Sequence, residues 1–400
     1  MNEIKERILK RIEEMKDEAI ELLADLVKAE SVNPPGNTRR VMDVIIKKVE
    51  TFTDDYEIVA KDEEAPNILI TLNRGARPQL LCNGHLDTVP IGEENAWEVD
   101  PFGAVVKGNL MYGRGVADMK GGVGAMLMAA KVLVLEKVPL KGSLVVNFVS
   151  DEETGGDRGA AFLMEKGYYS PDMVVVGEIT NNNGLAIGEK GLAVFSLTTK
   201  GRTAHASTPW VGVNAIEKMV KILYRMQTEM IEDLKKRPSG YLPPASLNIG
   251  TIQGGVSFNI VADACNVLID RRTLPGEMIE SVTQEIQTLI DKIKREDPDV
   301  DATLQLLGTG DPFETSADEF ICQVAKRTLE ELNMKSDFVG YEQVSDGRFF
   351  AGKGIPTILI GPGTAQQAHT PNEHLELDQY LDAIKIYALL AFNALGAQVS

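Results

Sequence analysis

Two near-continuous apolar runs, SLVVNFVS (143–150) and MVVVGE (173–178), constrain the fold of this chain more than any other feature. A strand with one wet face alternates polar and apolar residues. A strand that is apolar at nearly every position is covered on both faces, as in sheets flanked by helices. The runs NILITL (67–72) and QLLCNGHLD (79–87), bounded by turn residues, add two more strands. Helical segments lie around them. Ile4, Ile8, Ile12, Met15, Ile20, Leu23 and Val27 make one apolar stripe of an opening helix that SVNPPGN stops. A Gly- and Ala-rich stretch from Asp118 through Leu135 reads as a buried helix. Strands alternating with helices define an α/β sheet.

Near residue 190 the texture changes. GLAVFSLTTKG alternates, a helix carries Ile216, Met219, Val220, Leu223, Met226 and Met230, and LNIGTI and CNVLID follow as strands. A second helix carries Ile279, Val282, Ile286, Leu289, Ile290 and Ile293, and ATLQLL closes the series. Strand–helix–strand–strand–helix–strand is an α+β unit of ferredoxin type. The α/β style then returns, with a helix over 318–333, the strand IPTILIG and a last helix from Asp378. A chain of 400 residues is long for one core. The expected organisation is therefore a catalytic domain from 1–190 and 308–400, interrupted by an insertion at 191–307.

The formal charge of -18 repels a phosphate backbone and argues against nucleic acid as a partner. Cys82, Cys265 and Cys322 are far apart and form no CxxC, which speaks against disulfides or a thiolate zinc site. The charged opening MNEIKERILKRIEEM is unlike a signal peptide, and no apolar run reaches the roughly 18 residues of a membrane span. The cytoplasm is the expected compartment.

Chemistry concentrates where strands end. His85 and Asp87 close one strand, Asp151, Glu152 and Glu153 follow another, and Glu178 follows a third. Open α/β folds build sites at that edge, and imidazole with carboxylate is the donor set of a divalent cation. Taken singly, each residue has an ordinary structural explanation: Asp118 as a helix N-cap, Glu178 in a turn, His85 as a strand-end histidine. Three consecutive acids at one strand end concentrate like charge, which a cation offsets.

In order along the chain, GHLDTVP (84–90), YGRGVADMKGG (112–122), SDEETGG (150–156), VVGEIT (175–180), KGRTAHAS (200–207), DRRTLPGE (270–277), SDGRF (345–349) and AHTPNE (368–373) resemble the M20 metallopeptidase family. That family includes acetylornithine deacetylase, succinyl-diaminopimelate desuccinylase, aminoacylase and glutamate carboxypeptidase. The resemblance covers nearly the whole chain. It implies two divalent metals per subunit, one held by His85, Asp118 and Glu178, the other by Asp118, Glu153 and His369. Asp118 would bridge them at the about 3.5–4 Å usual for two-metal hydrolases. The ligands favour zinc and admit cobalt and manganese.

By the same resemblance Asp87 orients His85 through its other ring nitrogen. Glu152 is the general base, taking a proton from the attacking water and passing it to the leaving amine. His205 reaches a partner subunit's site in a homodimer and stabilises the oxyanion. Asn259 and Arg272 hold a substrate carboxylate, with Arg348 a further candidate or a structural ion pair. The peptide after Asp118 is expected in the cis form. His374 matches no ligand and reads as surface. The implied substrate is a small N-acyl amino acid or dipeptide-like molecule cleaved at its amide bond, with a dipeptidase or glutamate-type carboxypeptidase as the enzyme alternative. An inactive binding protein of this fold would have lost a ligand or the base, and none is missing. A dinucleotide-binding dehydrogenase would need GxGxxG, and GRGVAD breaks that pattern at its third glycine.

Overall fold

A computed structural model describes residues 3–237 and 239–396. The chain forms two compact units: Met1–Ile187 with Thr315–Val339 and Ser345–Ser400, and Gly188–Glu314 with Gly340–Val344. The short return segment Gly340–Val344 carries no pattern that would have assigned it to the second unit.

The first unit is a mixed sheet with helices on its faces. Across it the strands run Tyr56–Val59, Asn67–Leu72, Ser143–Val149, Gln79–His85, Met173–Val176, Thr357–Leu359 and Leu185–Glu189. The four from Ser143–Val149 to Thr357–Leu359 are parallel, and their flanks pair antiparallel. Ser143–Val149 and Met173–Val176 are buried at every position, as their unbroken apolar character requires.

Gly121–Leu135 and Leu377–Leu395 pack together on the sheet, and the opening helices lie against them. The opening helix is in fact two, Glu3–Glu14 and Lys16–Lys28. Met15, at φ -101° and ψ 11°, bends the chain while its N–H bonds back to both Arg11 and Ile12 carbonyls. Ile8, Ile12, Leu22, Leu23 and Leu26 stay on the core side of the bend, so the apolar period continues across it.

The glycines of KGGVGA serve packing. A β-carbon on Gly122 would lie 2.3 Å from the Gly177 carbonyl oxygen, so the helix approaches the strand end beside Glu178 as only glycine permits. Gly122→Ala gains about 1 kcal/mol of helix propensity. The backbone clash outweighs that gain, and a net loss of about 1–3 kcal/mol is expected in chemical denaturation. An unchanged or raised midpoint would show that the helix can back away freely.

The second unit is a four-stranded antiparallel sheet in the order Ser246–Gly254, Ala264–Thr273, Gly191–Lys200, Asp301–Gly310. Numbered along the chain this is 2-3-1-4, the split βαβ arrangement of ferredoxin-like folds. Gly191–Lys200 alternates buried and half-buried, and Ala193, Phe195 and Leu197 pack with Met219, Ile222, Ile286 and Ile290 of the two helices Ala215–Arg225 and Ile279–Glu296. Among the described residues no helix is long and apolar enough to cross a membrane. All three cysteines are free and buried.

Candidate metal centre

The parallel strands of the first unit bring the expected carboxylates and imidazoles to one edge. His85 ends its strand, 151–153 is the turn after Ser143–Val149, Glu178 lies two residues past Met173–Val176, and His369 is in the segment after Thr357–Leu359. Asp118 comes from the wide turn before Gly121–Leu135. It caps nothing: at φ -113° and ψ 95° it leaves helical geometry, and its peptide bond to Met119 is cis, as the resemblance implied.

Asp118 stands between the two imidazoles. Its Oδ1 is 3.2 Å from His85 Nε2 and its Oδ2 is 3.3 Å from His369 Nε2. Glu178 Oε1 lies 3.9 Å from His85 Nε2, and Glu153 Oε2 lies 3.2 Å from His369 Nε2. Two triads result, His85–Asp118–Glu178 and Asp118–Glu153–His369, each with its donor atoms within 4.8 Å of one another.

These separations fit a cation better than direct ion pairs. Charge-assisted N–H···O bonds are about 2.7–2.9 Å long. Neighbouring ligands around a tetrahedral ion with bonds of 2.0–2.1 Å stand about 3.3 Å apart. Glu153 Oε1 is buried with no hydrogen-bond partner among the described residues, an arrangement that needs a compensating group. The donors fit divalent metal.

Burial opposes an imidazolium at His85, but the hydrogen bond to Asp118 and the charges of Glu152, Asp118 and Asp87 raise its pKa well above the usual value. Hydrogen bonds to Asp118 and Glu153 lift His369 to about 10. Burial pushes Glu152 and Glu153 up, Glu152 well above the carboxylate range. Asp118 goes the other way: burial would raise it, and hydrogen bonds from His369 and His85 pull it below its ordinary value. Left-handed backbone at Asp151 (φ 82°) and His369 (φ 61°) fixes the turn before Glu152 and the placement of the second imidazole.

Asp87 meets the other ring nitrogen of His85 through its main chain rather than its side chain. His85 Nδ1 donates to the Asp87 carbonyl oxygen at 2.9 Å, while the Asp87 carboxylate is 3.6 Å away. That bond still sets the tautomer that leaves Nε2 facing Asp118. The carboxylate instead accepts the backbone N–H groups of Asp151, Glu152 and Glu153 at 2.9, 3.1 and 3.2 Å. A carboxylate is the strongest acceptor for three converging amides, so it holds the turn that carries both glutamates. Asn33 reinforces it by donating to Asp87 Oδ2 and Thr154 Oγ1, both at 2.8 Å. Nothing in the sequence beyond the turn residues around Asn33 pointed to this role.

Among the described residues Arg348 makes no ion pair, and two of its five N–H donors go to main-chain carbonyls. Its Nη1 and Nη2 donate to the Ser345 and Gly155 carbonyl oxygens at 2.8 and 2.9 Å. The second of these bonds braces the loop after Glu153. His374 is not simply surface: half-buried, it pairs in a short strand opposite Tyr112, with ring centroids 5.1 Å apart.

His205, Asn259 and Arg272 belong to the second unit. Segments 204–206 and 259–261 are paired, the Ala206 N–H donating to the Asn259 carbonyl and the Val261 N–H to that of Ala204, so His205 and Asn259 are neighbours. The Ser207 backbone N–H donates to His205 Nδ1 at 3.1 Å, which places the proton of the neutral ring on exposed Nε2. Arg272 lies near the far end of the strand Ala264–Thr273, paired with Asp270 at 3.0 Å. Eight residues of strand put it roughly 26 Å from the Asn259 end.

A sheet edge with two carboxylate–histidine triads sharing one aspartate defines a metal-dependent hydrolase. The chain belongs to peptidase family M20/M25/M40, whose sequence pattern matches residues 81–393. It is 28% identical to N-formyl-4-amino-5-aminomethyl-2-methylpyrimidine deformylase of Halalkalibacterium halodurans, covering 97% of this chain and 96% of that one. It is 29% identical to acetylornithine deacetylase of Vibrio campbellii over 84% and 87% of the two chains. A solved tripeptidase from Staphylococcus aureus shares the fold, with a TM-score of 0.79 at 23% identity, covering 95% of this chain and 98% of the other.

Proposed function

We propose that the protein hydrolyses the amide bond of a small N-acyl amino acid or related N-acyl amine, with divalent metal supplying activation of the attacking water. The observation that carries this reading is the division of labour in one turn. Glu153 faces His369 as a ligand, while the adjacent Glu152 carboxylate enters none of these ion pairs and lies among the charges of His85, Glu178 and Asp346. Ions held by His85, Asp118, Glu178, Glu153 and His369 would lower the pKa of the attacking water and polarise the scissile carbonyl. Glu152 accepts the proton of that water and returns it to the departing nitrogen. Asp87 keeps Glu152 and Glu153 in register throughout. The full-length similarity to a deformylase favours acyl-amide over dipeptide cleavage. The test is turnover of N-formyl, N-acetyl and N-succinyl amino acids and of dipeptides with Zn²⁺, Co²⁺ or Mn²⁺ added. Turnover confined to dipeptides would move the protein to the dipeptidase branch, and turnover of none would sink the proposal.

The same reading makes the enzyme a homodimer, with 191–307 as the dimerisation and lid segment. One copy of the second unit carries His205 and Asn259 near one end of its sheet and Arg272 near the other, too far apart to serve one small substrate. Two copies can combine them. The strand Ser246–Gly254 is an open edge, and the helix Ala215–Arg225 exposes Val220 at 55% and Tyr224 at 63%. An exposed His205 Nε2–H suits a partner's developing oxyanion. Mixing inactive His205→Ala and Glu152→Ala proteins is therefore expected to restore activity, since half the sites of each heterodimer unite an intact base with an intact histidine. No recovery after proven subunit exchange would leave His205 acting within its own chain.

A further inference from the structure

We infer that Glu373 is the positioning residue of the shared aspartate, an inference that rests on Asp118 and His369 being metal ligands. The Glu373 side chain is completely buried, and its carboxylate gathers four donors. Oε2 accepts Arg114 Nη1 at 2.7 Å and the Gly115 N–H at 3.0 Å; Oε1 accepts the Ala117 N–H at 2.9 Å and the Asp118 N–H at 3.1 Å. The wide turn from Gly115 to Asp118, with the amides of Gly115, Ala117 and Asp118 pointing inward, is therefore folded around one anion. Only an ionised carboxylate offers acceptors for all four donors.

The segment bearing Glu373 also bears His369, which faces the opposite oxygen of Asp118 from His85. It is stitched to the strand before the turn: the Gly113 N–H donates to the Glu373 carbonyl at 3.0 Å, and His374–Glu376 pairs with Leu110–Tyr112. One segment thus supplies a ligand through His369 and, through Glu373, fixes the backbone of the ligand that shares its ion. Glu373 sets the His369–Asp118 spacing without touching a metal. Groups that orient ligands in this way typically contribute 10–100-fold in metal affinity.

Glu373→Gln keeps the volume but turns an NH₂ toward N–H or guanidinium donors. Metal-free wild type and variant are titrated with Co²⁺, followed by calorimetry and by the visible absorption of the bound ion, with thermal unfolding recorded alongside. Glu373→Asp, which keeps the charge but shortens the reach, is read identically and decides the matter if the glutamine variant does not fold. The expected result is 10–100-fold weaker Co²⁺ binding with a changed absorption spectrum, and turnover that excess metal restores. Affinity within twofold of wild type with an unchanged spectrum overturns the inference, even if the unfolding temperature falls, because that is the pattern of a fold-only role. A wild-type chain that takes up no Co²⁺ overturns the metal reading and this inference with it.

Discussion

Glu152→Ala is expected to lower kcat by about 10²–10⁴-fold, the usual worth of a general acid–base, while folding and metal content stay near wild type. The loss can exceed that range because one carboxylate handles both proton transfers. The turn survives because its three backbone N–H groups bond to Asp87, which the substitution leaves in place. Glu153→Ala removes the carboxylate that faces His369 at 3.2 Å and is expected to weaken metal retention first, with activity falling in proportion to lost ion. Metal analysis beside steady-state kinetics on both variants separates the two. If Glu152→Ala lost metal and Glu153→Ala kept it, base and ligand would have to be exchanged.

Chelation is expected to abolish turnover, and divalent metal to restore it. In the metal-free protein His369 is held protonated by Asp118 and Glu153, its pKa near 10. Ligation needs the neutral ring, so ion binding near neutral pH releases that proton, and falling pH weakens affinity. Calorimetric titration in two buffers of different ionisation enthalpy should therefore report at least one proton released as the His369 centre fills. Active protein that contains no divalent ion and is indifferent to chelators would contradict the whole reading of the site.

The sequence was most legible where burial pattern and local chemistry coincide. Unbroken apolar runs specified strands covered on both faces, and the acids directly after them lay at the functional edge because a parallel strand always delivers its next residue there. The alternation of Gly191–Lys200 likewise specified a sheet with one buried face. Signals failed where the deciding partner is distant. The bend at Met15 leaves the helical period intact and is invisible to it. Arg348 was a candidate for substrate because an arginine in a motif suggests an anion, and its bond to the distant Gly155 carbonyl left no mark in that motif. Asp87 was expected to orient His85, two residues away; its carbonyl meets that ring, while its carboxylate serves a turn more than sixty residues on.

What the sequence determined by itself was the identity of the chemistry: an α/β sheet with a ferredoxin-like insertion, and histidine and carboxylate types suited to divalent metal. Residue type and local period are enough for that, since hydrophobic burial and donor chemistry are properties of single side chains and short segments. Tertiary structure alone decided which groups hold the site in shape. Asp87 and Glu373 accept backbone amides and Arg348 donates to the Gly155 carbonyl, all far along the chain, and a backbone hydrogen bond leaves no mark on the identity of the residue that supplies the main-chain group; Asn33 in turn braces Asp87 and Thr154 through their side chains. Geometry of the cluster is fixed by these long-range bonds, because a carboxylate gathering converging N–H groups can form only after the sheet has brought the segments together.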